Sequence, residues 1–429
     1  MVIKNIRLID PANKLDKICD IVIHGGKITQ IREAGEASDT KEWSSVLEGN
    51  KVIDGNGLVA APGFVDVHVH FRDPGQTHKE DIHTGALAAV AGGYTSVVMM
   101  ANTVPTIDNA HVLSDVLERA KREPLHIYSC VNATKGMKGR DIVEIEPLIK
   151  MGAVGVTDDG KPILNEGIFR TVCMIASDFD VPLSLHEEDP QYIKENGVNS
   201  GTAAKKLGLT GSDRKAEISM IDRDIKIAER TCVKLSIQHI STKEGVELVR
   251  KAKKRGSSIY AEATPHHFSL TDDVVEKYGT LAKMNPPLRK KEDMLAIRKG
   301  LADGTIDMIA TDHAPHSKEE KEKPFTQAPS GIIGLETALP LAITNLVNEK
   351  VLDLSKLVEL MSLNPAKLYK LPAGSLSVGE PADIVIFDPD EDVVIKEFKS
   401  KSSNSPFVGA HLKGKVRYTI VDGKIVYQG

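Results

Sequence analysis

The sequence predicts an α/β chain: a (β/α)8 barrel of the TIM type, with a small β-sandwich built from the N- and C-terminal segments. Three observations predict it. Short apolar strands alternate with helical stretches throughout the middle of the chain. Both ends are β-rich instead, broken by Asn, Gly and Asp-Gly turns. The first strand of the alternating unit runs into histidines, whereas an open doubly wound sheet would carry a glycine-rich phosphate turn there.

The elements follow in order. "IKNIRLID", "CDIVIHGGKITQI" and "KVIDGNGLVA" read as a small antiparallel sheet, and "ADIVIFDP", "DVVIKE" and "KVRYTIVDGKIVYQG" match them at the other end. The matching texture predicts that residues 1–59 and 373–429 pair into one small domain, leaving 60–372 as the barrel. Within the barrel, "LVAAPGFVDVHVH" is the first strand. It is followed by "TSVVMM", "LHIYSCV", "AVGVT", "VPLSLH", "VKLSIQHI", "SIYAEAT" and "TIDMIAT", eight in all. Stretches such as "NAHVLSDVLERAKR", "EGIFRTVCMIASDF" and "KEGVELVRKAKKRG" supply the intervening helices.

Composition narrows the function. Charged residues make up 27% of the chain and no uncharged apolar run reaches the roughly 20 residues of a membrane span. The N-terminus lacks the zones of a secretory signal, so a cytoplasmic location is expected. A net charge of −5 without basic blocks argues against nucleic acid as a partner. Cys19, Cys130, Cys173 and Cys232 are widely spaced, with no C-x-x-C pair, and read as reduced thiols.

Barrel enzymes keep their chemistry at the C-terminal ends of the strands. Those ends carry His68 and His70 (first strand), Asp158 and Asp159 (fourth), His186 (fifth), His239 (sixth) and Asp312, followed by His313 and His316 (eighth). One histidine at a strand end is an ordinary polar residue. Four histidines and two or more aspartates at equivalent places form a donor set of imidazole and carboxylate suited to Zn2+, or to Mn2+ or Co2+. The set is too large for one four-coordinate ion with an open position, and two ions sharing a carboxylate fit it better. Glu187, Glu188 and Asp189 read as the acidic first turn of the next helix. His266 and His267 lie close enough to support the site without ligating. The polar stretch after Asp312 reads as a long mobile loop over the active site.

These residues, with the motifs "DVHVHFRDPG", "MANT", "TDDG", "HEE", "QHIST", "ATPHHF", "KMNPPLR", "ATDHAPH", "GIIGLET" and "GEPADIVIFDP", resemble the amidohydrolase superfamily. More narrowly, the chain resembles bacterial-type dihydroorotases that bridge their metals with an aspartate. The resemblance covers the whole chain. It implies that His68, His70 and Asp312 hold one ion and that His186 and His239 hold the other. Local sequence leaves the bridge open between Asp158 and Asp159, and the family spacing favours Asp159. Other relatives use a carbamylated lysine, for which Lys161 is the nearest candidate. The resemblance further implies that Arg72, Asn102, Asn285 and His316 bind the substrate.

The implied reaction is the reversible cyclisation of N-carbamoyl-L-aspartate to L-dihydroorotate in pyrimidine biosynthesis. It would use a metal-activated hydroxide, with Asp312 as general acid and base and His313 supporting its geometry. A homodimer is implied as well. Allantoinase or dihydropyrimidinase activity is the alternative among enzymes, and Arg72 discriminates, because those substrates lack the carboxylate it would grip. A non-catalytic scaffold for a transcarbamoylase is the alternative outside catalysis; such a chain can lose ligands, and every expected position here is filled.

Overall fold

The structure is a computed structural model that describes residues 1–34 and 49–429. The expected N-terminal unit, residues 1–59, therefore lies partly outside the described residues. Strands run in order β1 (Val2–Asp10), β2 (Leu15–His24), β3 (Lys27–Glu33), β4 (Val52–Asp54) and β5 (Val59–Pro62). The barrel strands follow: β6 (Phe64–Val69), β7 (Tyr94–Met99), β8 (His126–Asn132), β9 (Gly155–Thr157), β10 (Leu183–Leu185), β11 (Leu235–Ile237), β12 (Ile259–Ala263) and β13 (Met308–Ile309). The chain ends with β14 (Ile384–Val394), β15 (His411–Val421) and β16 (Lys424–Gln428).

The two ends of the chain do pair. One sheet runs β16-β15-β14-β5-β1-β2-β3, with β4 beside β1. The junction is β5 against β14, antiparallel from Ile384–Pro62 to Phe387–Val59. The N-terminal contribution thus extends through Pro62, past the expected boundary at residue 59. Alternation drives the sheet, and one side gathers Ile3, Ile6, Leu8, Ile21, Ile384 and Ile386 into a core of its own. A bulge at Asn5, with φ of 53°, lets both Ile3 and Ile6 face that core. The tight turns are Gly25-Gly26 and Asp422-Gly423, all at positive φ, as two-residue hairpins require.

The middle eight strands are parallel and neighbour one another in sequence order. The ring closes where Val69 bridges His313 and His70 N donates to His313 O at 2.9 Å. Asp66, buried in β6, reinforces that seam: its carboxylate accepts from His68 N (3.0 Å) and Thr311 N (3.2 Å). Side-chain caps from Asp81, Asn109, Asn165 and Thr242 start the outer helices. Inside the ring, Val65, Val67, Val98, Cys130 and Met308 pack against Leu368 and Tyr369 of the helix Asn364–Tyr369. That helix sits at the strand starts, where Ser362 Oγ donates to Gly63 O and Asn364 Nδ2 to Asp307 O. The opposite end of the barrel is left to polar residues. No described helix is long and apolar enough to cross a membrane.

Candidate metal centre

Five strand ends, those of β6, β9, β10, β11 and β13, bring the expected residues into one buried cluster. His68 and His70 leave β6 two residues apart and therefore on one side; their rings lie 5.3 Å apart. His68 and His239 rings are 5.2 Å apart, and His186 and His239 rings 4.8 Å. Asp312 Oδ1 stands 3.0 Å from His70 Nε2 and 3.5 Å from His68 Nε2. Asp159 faces the same two rings, at 3.6 Å from His68 Nε2 and 3.5 Å from His70 Nε2. Two buried sets of donor atoms result, His68–His70–Asp312 and His68–Asp159–His239, each within 4.8 Å.

His186 stands against the second set, beside His239. Its Nδ1 meets His239 Nε2 at 3.1 Å, and its Nε2 lies 3.2 Å from Glu188 Oε2. Glu188 is buried, as is Glu187 beside Asp224. These two acids therefore do not form the acidic first turn of the next helix that the local sequence suggests; only Asp189 caps a short turn, Pro190–Tyr192. The sequence misleads here because a run of acids before a helix looks the same whether it faces water or an imidazole.

The adjacent aspartates part company. Asp158 turns to the backbone of the preceding strand, accepting from Ala133 N (2.9 Å) and Thr134 N (3.2 Å). Its burial outweighs these bonds and pushes its pKa up to about 6. Burial also opposes ionisation of Asp159, but His68, His70 and His186 outweigh it and hold this carboxyl well below the usual carboxylate range. Lys161, the alternative bridge, is exposed.

The cluster fits divalent cations. His68 Nε2 and His239 Nδ1 are buried and lack any hydrogen-bond partner among the described residues. An unmet buried polar atom costs about 1–3 kcal/mol, so two open imidazole nitrogens beside two carboxylates mark a place for a Lewis acid. Burial disfavours a charged His68, yet Asp159, Glu262 and Asp312 together hold its pKa well above the ordinary value. Positive charge is favoured at this point, and a divalent ion held by these residues would supply it. Burial, His186 and His68 keep His239 well below its ordinary value, in the neutral form that ligation needs.

Glu262 of β12 is a site residue that the sequence reading missed. Fully buried, it accepts from His68 Nδ1 at 3.0 Å, which turns His68 Nε2 toward the carboxylates. Its signal was an acid inside the apolar strand "SIYAEAT". His267 is buried, and its Nε2 donates to Pro286 O at 3.0 Å, beside Asn285. His313 supports the loop behind Asp312 rather than its carboxylate. Its Nδ1 accepts from Gly334 N at 3.1 Å and its Nε2 faces Glu80 at 3.3 Å.

At the mouth, Arg72 Nε donates to Pro315 O (3.3 Å), and Nη2 lies 3.4 Å from His316 Nε2. Asp73, its neighbour, pairs instead with Arg119 at 2.6 Å. Among the described residues no carboxylate lies within ion-pair distance of Arg72. Burial lowers its pKa, partly countered by Asp312, Asp159 and Glu320. His316 Nε2 donates to Ser330 O at 2.8 Å, and burial with Arg72 and Lys79 nearby holds it far below its ordinary value, hence neutral. Asn285 Oδ1 is buried without a hydrogen-bond partner among the described residues. Asn102 is already engaged: His70 Nδ1 donates to its Oδ1 (3.0 Å), and its Nδ2 donates to Asp159 Oδ2 (3.0 Å). The loop after Asp312 is packed down in the structure. Buried Lys283 donates to Phe325 O and Ala328 O, and buried Lys321 to Pro329 O and Gly331 O.

Three of these residues hold a left-handed backbone that non-glycine residues rarely adopt: Arg72 (φ 58°), His239 (31°) and Asp312 (49°). Such conformations persist where the surroundings over-determine them, as at functional sites.

The model of the amidohydrolase family matches residues 59–426. A dihydroorotase of Clostridioides difficile (strain 630) is 49% identical over 427 residues, covering 100% of this chain and 99% of that protein. A dihydroorotase of Lactococcus lactis subsp. lactis (strain IL1403) is 48% identical over 429 residues, again covering 100% and 99%. Among solved structures, L-hydantoinase (dihydropyrimidinase) from Arthrobacter aurescens superposes with a TM-score of 0.86 at 27% identity, covering 100% of this chain and 96% of that one. With a family-model match over residues 59–426 and near-half identity to relatives along the whole chain, the chain belongs to the amidohydrolase family and, within it, to the dihydroorotases.

Proposed function

We infer that this chain is a dihydroorotase, interconverting N-carbamoyl-L-aspartate and L-dihydroorotate in pyrimidine biosynthesis. Arg72 carries the reading. A half-buried guanidinium at the mouth, without a carboxylate of its own, suits a substrate carboxylate gripped by two parallel hydrogen bonds. Hydantoin-type substrates offer no such group.

His68, His70, His186, His239 and Asp312, with Asp159 as the bridge, are proposed to hold a pair of divalent ions. Imidazole and carboxylate donors without thiolate suit Zn2+, with Mn2+ or Co2+ as substitutes. When bound, such ions lower the pKa of the attacking water and polarise the amide carbonyl. Glu262 keeps His68 in the orientation this needs. In ring opening, Asp312 takes a proton from the attacking water as its oxygen bonds to the amide carbon. As the carbon–nitrogen bond breaks, Asp312 returns that proton to the leaving nitrogen. Cyclisation runs the same steps in reverse and releases water. Arg72, His316 and Asn285 orient the substrate, the last through its unpartnered Oδ1. Asn102, tied to His70 and Asp159, joins them by exchanging one of those bonds for the substrate carboxylate. In its full form the proposal is a cytoplasmic homodimer whose β unit comes from the two chain ends, through Pro62 and from residue 373 on, with the barrel between them.

The test is a substrate panel. Purified protein is expected to open L-dihydroorotate with a kcat/KM at least about 100-fold above that for hydantoin, dihydrouracil or allantoin, the order of discrimination that a dedicated charged contact supplies. Faster turnover of any of the three uncharged rings refutes the reading.

A further inference from the structure

Between β14 and β15, the segment 400–404 crosses back to the barrel mouth, far in sequence from every residue of the site. One of its side chains, Asn404, is buried at 4% exposure and uses its whole amide on the loop that follows Asp312. Its Nδ2 donates to Ala314 O (3.0 Å) and Gly331 O (3.1 Å), and its Oδ1 accepts from His316 N (3.1 Å). Its backbone carbonyl accepts from Ile333 N at 3.1 Å. The loop's two ends pair where Ala314 N donates to Ile332 O at 2.8 Å, so this is a closed neck, and Asn404 clasps both sides of it. Pro315, whose carbonyl holds Arg72 Nε, lies between the two clasped residues Ala314 and His316. The same segment also ties the chain that follows Arg72: Ser402 Oγ donates to Lys79 O (2.7 Å) and Lys401 N to Glu80 Oε1 (3.1 Å).

We propose that Asn404 is a positioning residue that fixes the neck of the 314–331 loop and thereby sets His316 against Arg72 for substrate binding. It touches neither the substrate nor the ion-binding cluster. It acts through the backbone of residues 314–316, which must be held before two side chains from opposite sides of the mouth can grip one ligand. The proposal rests on the functional reading above and adds a residue that no catalytic motif contains.

The test compares the metal-loaded wild type with Asn404→Asp. The substitution keeps the size and the acceptor for His316 N but turns two donors into a carboxylate oxygen facing two carbonyls. KM for dihydroorotate is expected to rise about tenfold with kcat within about threefold, the signature of lost binding rather than lost chemistry. Trypsin cleavage after Lys321, whose amine is buried when the loop is seated, is expected to accelerate at least about tenfold. Unchanged KM with unchanged cleavage overturns the proposal, and so does a fall in kcat alone. If the variant does not accumulate as folded protein, hydrogen exchange of the His316 amide in the wild type decides: slow exchange supports the clasp and free exchange overturns it. Should the wild type fail to turn over dihydroorotate, the functional reading falls, while cleavage and exchange still judge Asn404.

Discussion

Replacing Arg72 with Met lowers kcat/KM for dihydroorotate by roughly 10^2- to 10^4-fold. Hydrogen bonds to charged groups contribute about 1.5–3 kcal/mol each, and a bidentate grip makes two of them. The change falls mainly on KM, because the carboxylate is bound equally in ground and transition states. Metal content stays at the wild-type level, since the nearest neighbours of Arg72 are Pro315 O and His316 rather than the ion-binding cluster. Steady-state kinetics with metal analysis on the same preparation checks both. Wild-type kinetics in the variant means that the substrate carboxylate lies elsewhere in the mouth.

Asp312→Asn acts on the chemical step. The substitution preserves volume and leaves an oxygen near His70 Nε2, now 3.0 Å from Oδ1, but an amide cannot accept and return a proton. A positioned general base contributes about 10^2- to 10^4-fold, and kcat falls by that factor while KM changes little. The left-handed backbone at Asp312 argues for the same role, since its φ of 49° is tolerated only because the closing seam of the barrel holds it. A kcat within tenfold of wild type, with metal retained, assigns the proton transfer to another group.

The barrel was legible because its signal repeats: eight apolar strands, each followed by a helical stretch, and polar donors recurring at the same ends. What repetition could not supply was direction. Asp158 and Asp159 are adjacent in a turn, and only the tertiary neighbours, Thr134 for one and His70 for the other, separate them. Glu188 looked like a helix start because its partner His186 is so near in sequence that the pairing resembled a local acidic turn. Long-range partners were hidden altogether. Glu262 meets His68 across 194 residues, and Asn404 meets His316 across 88, and no local periodicity encodes either contact. The bonds that tie Asn102 to His70 and Asp159 were hidden as well, because a side chain at a strand end can turn toward the barrel axis or the mouth.

The site as a whole stands on buried imidazoles and carboxylates gathered without enough hydrogen bonds to satisfy them. The direct measurement is titration of chelator-stripped protein with Co2+, following visible absorption and dihydroorotate turnover together. The account predicts two equivalents bound per chain, spectra of nitrogen and oxygen ligation, and activity returning in step with loading. Turnover that persists in the stripped protein, or saturation below one equivalent, contradicts it.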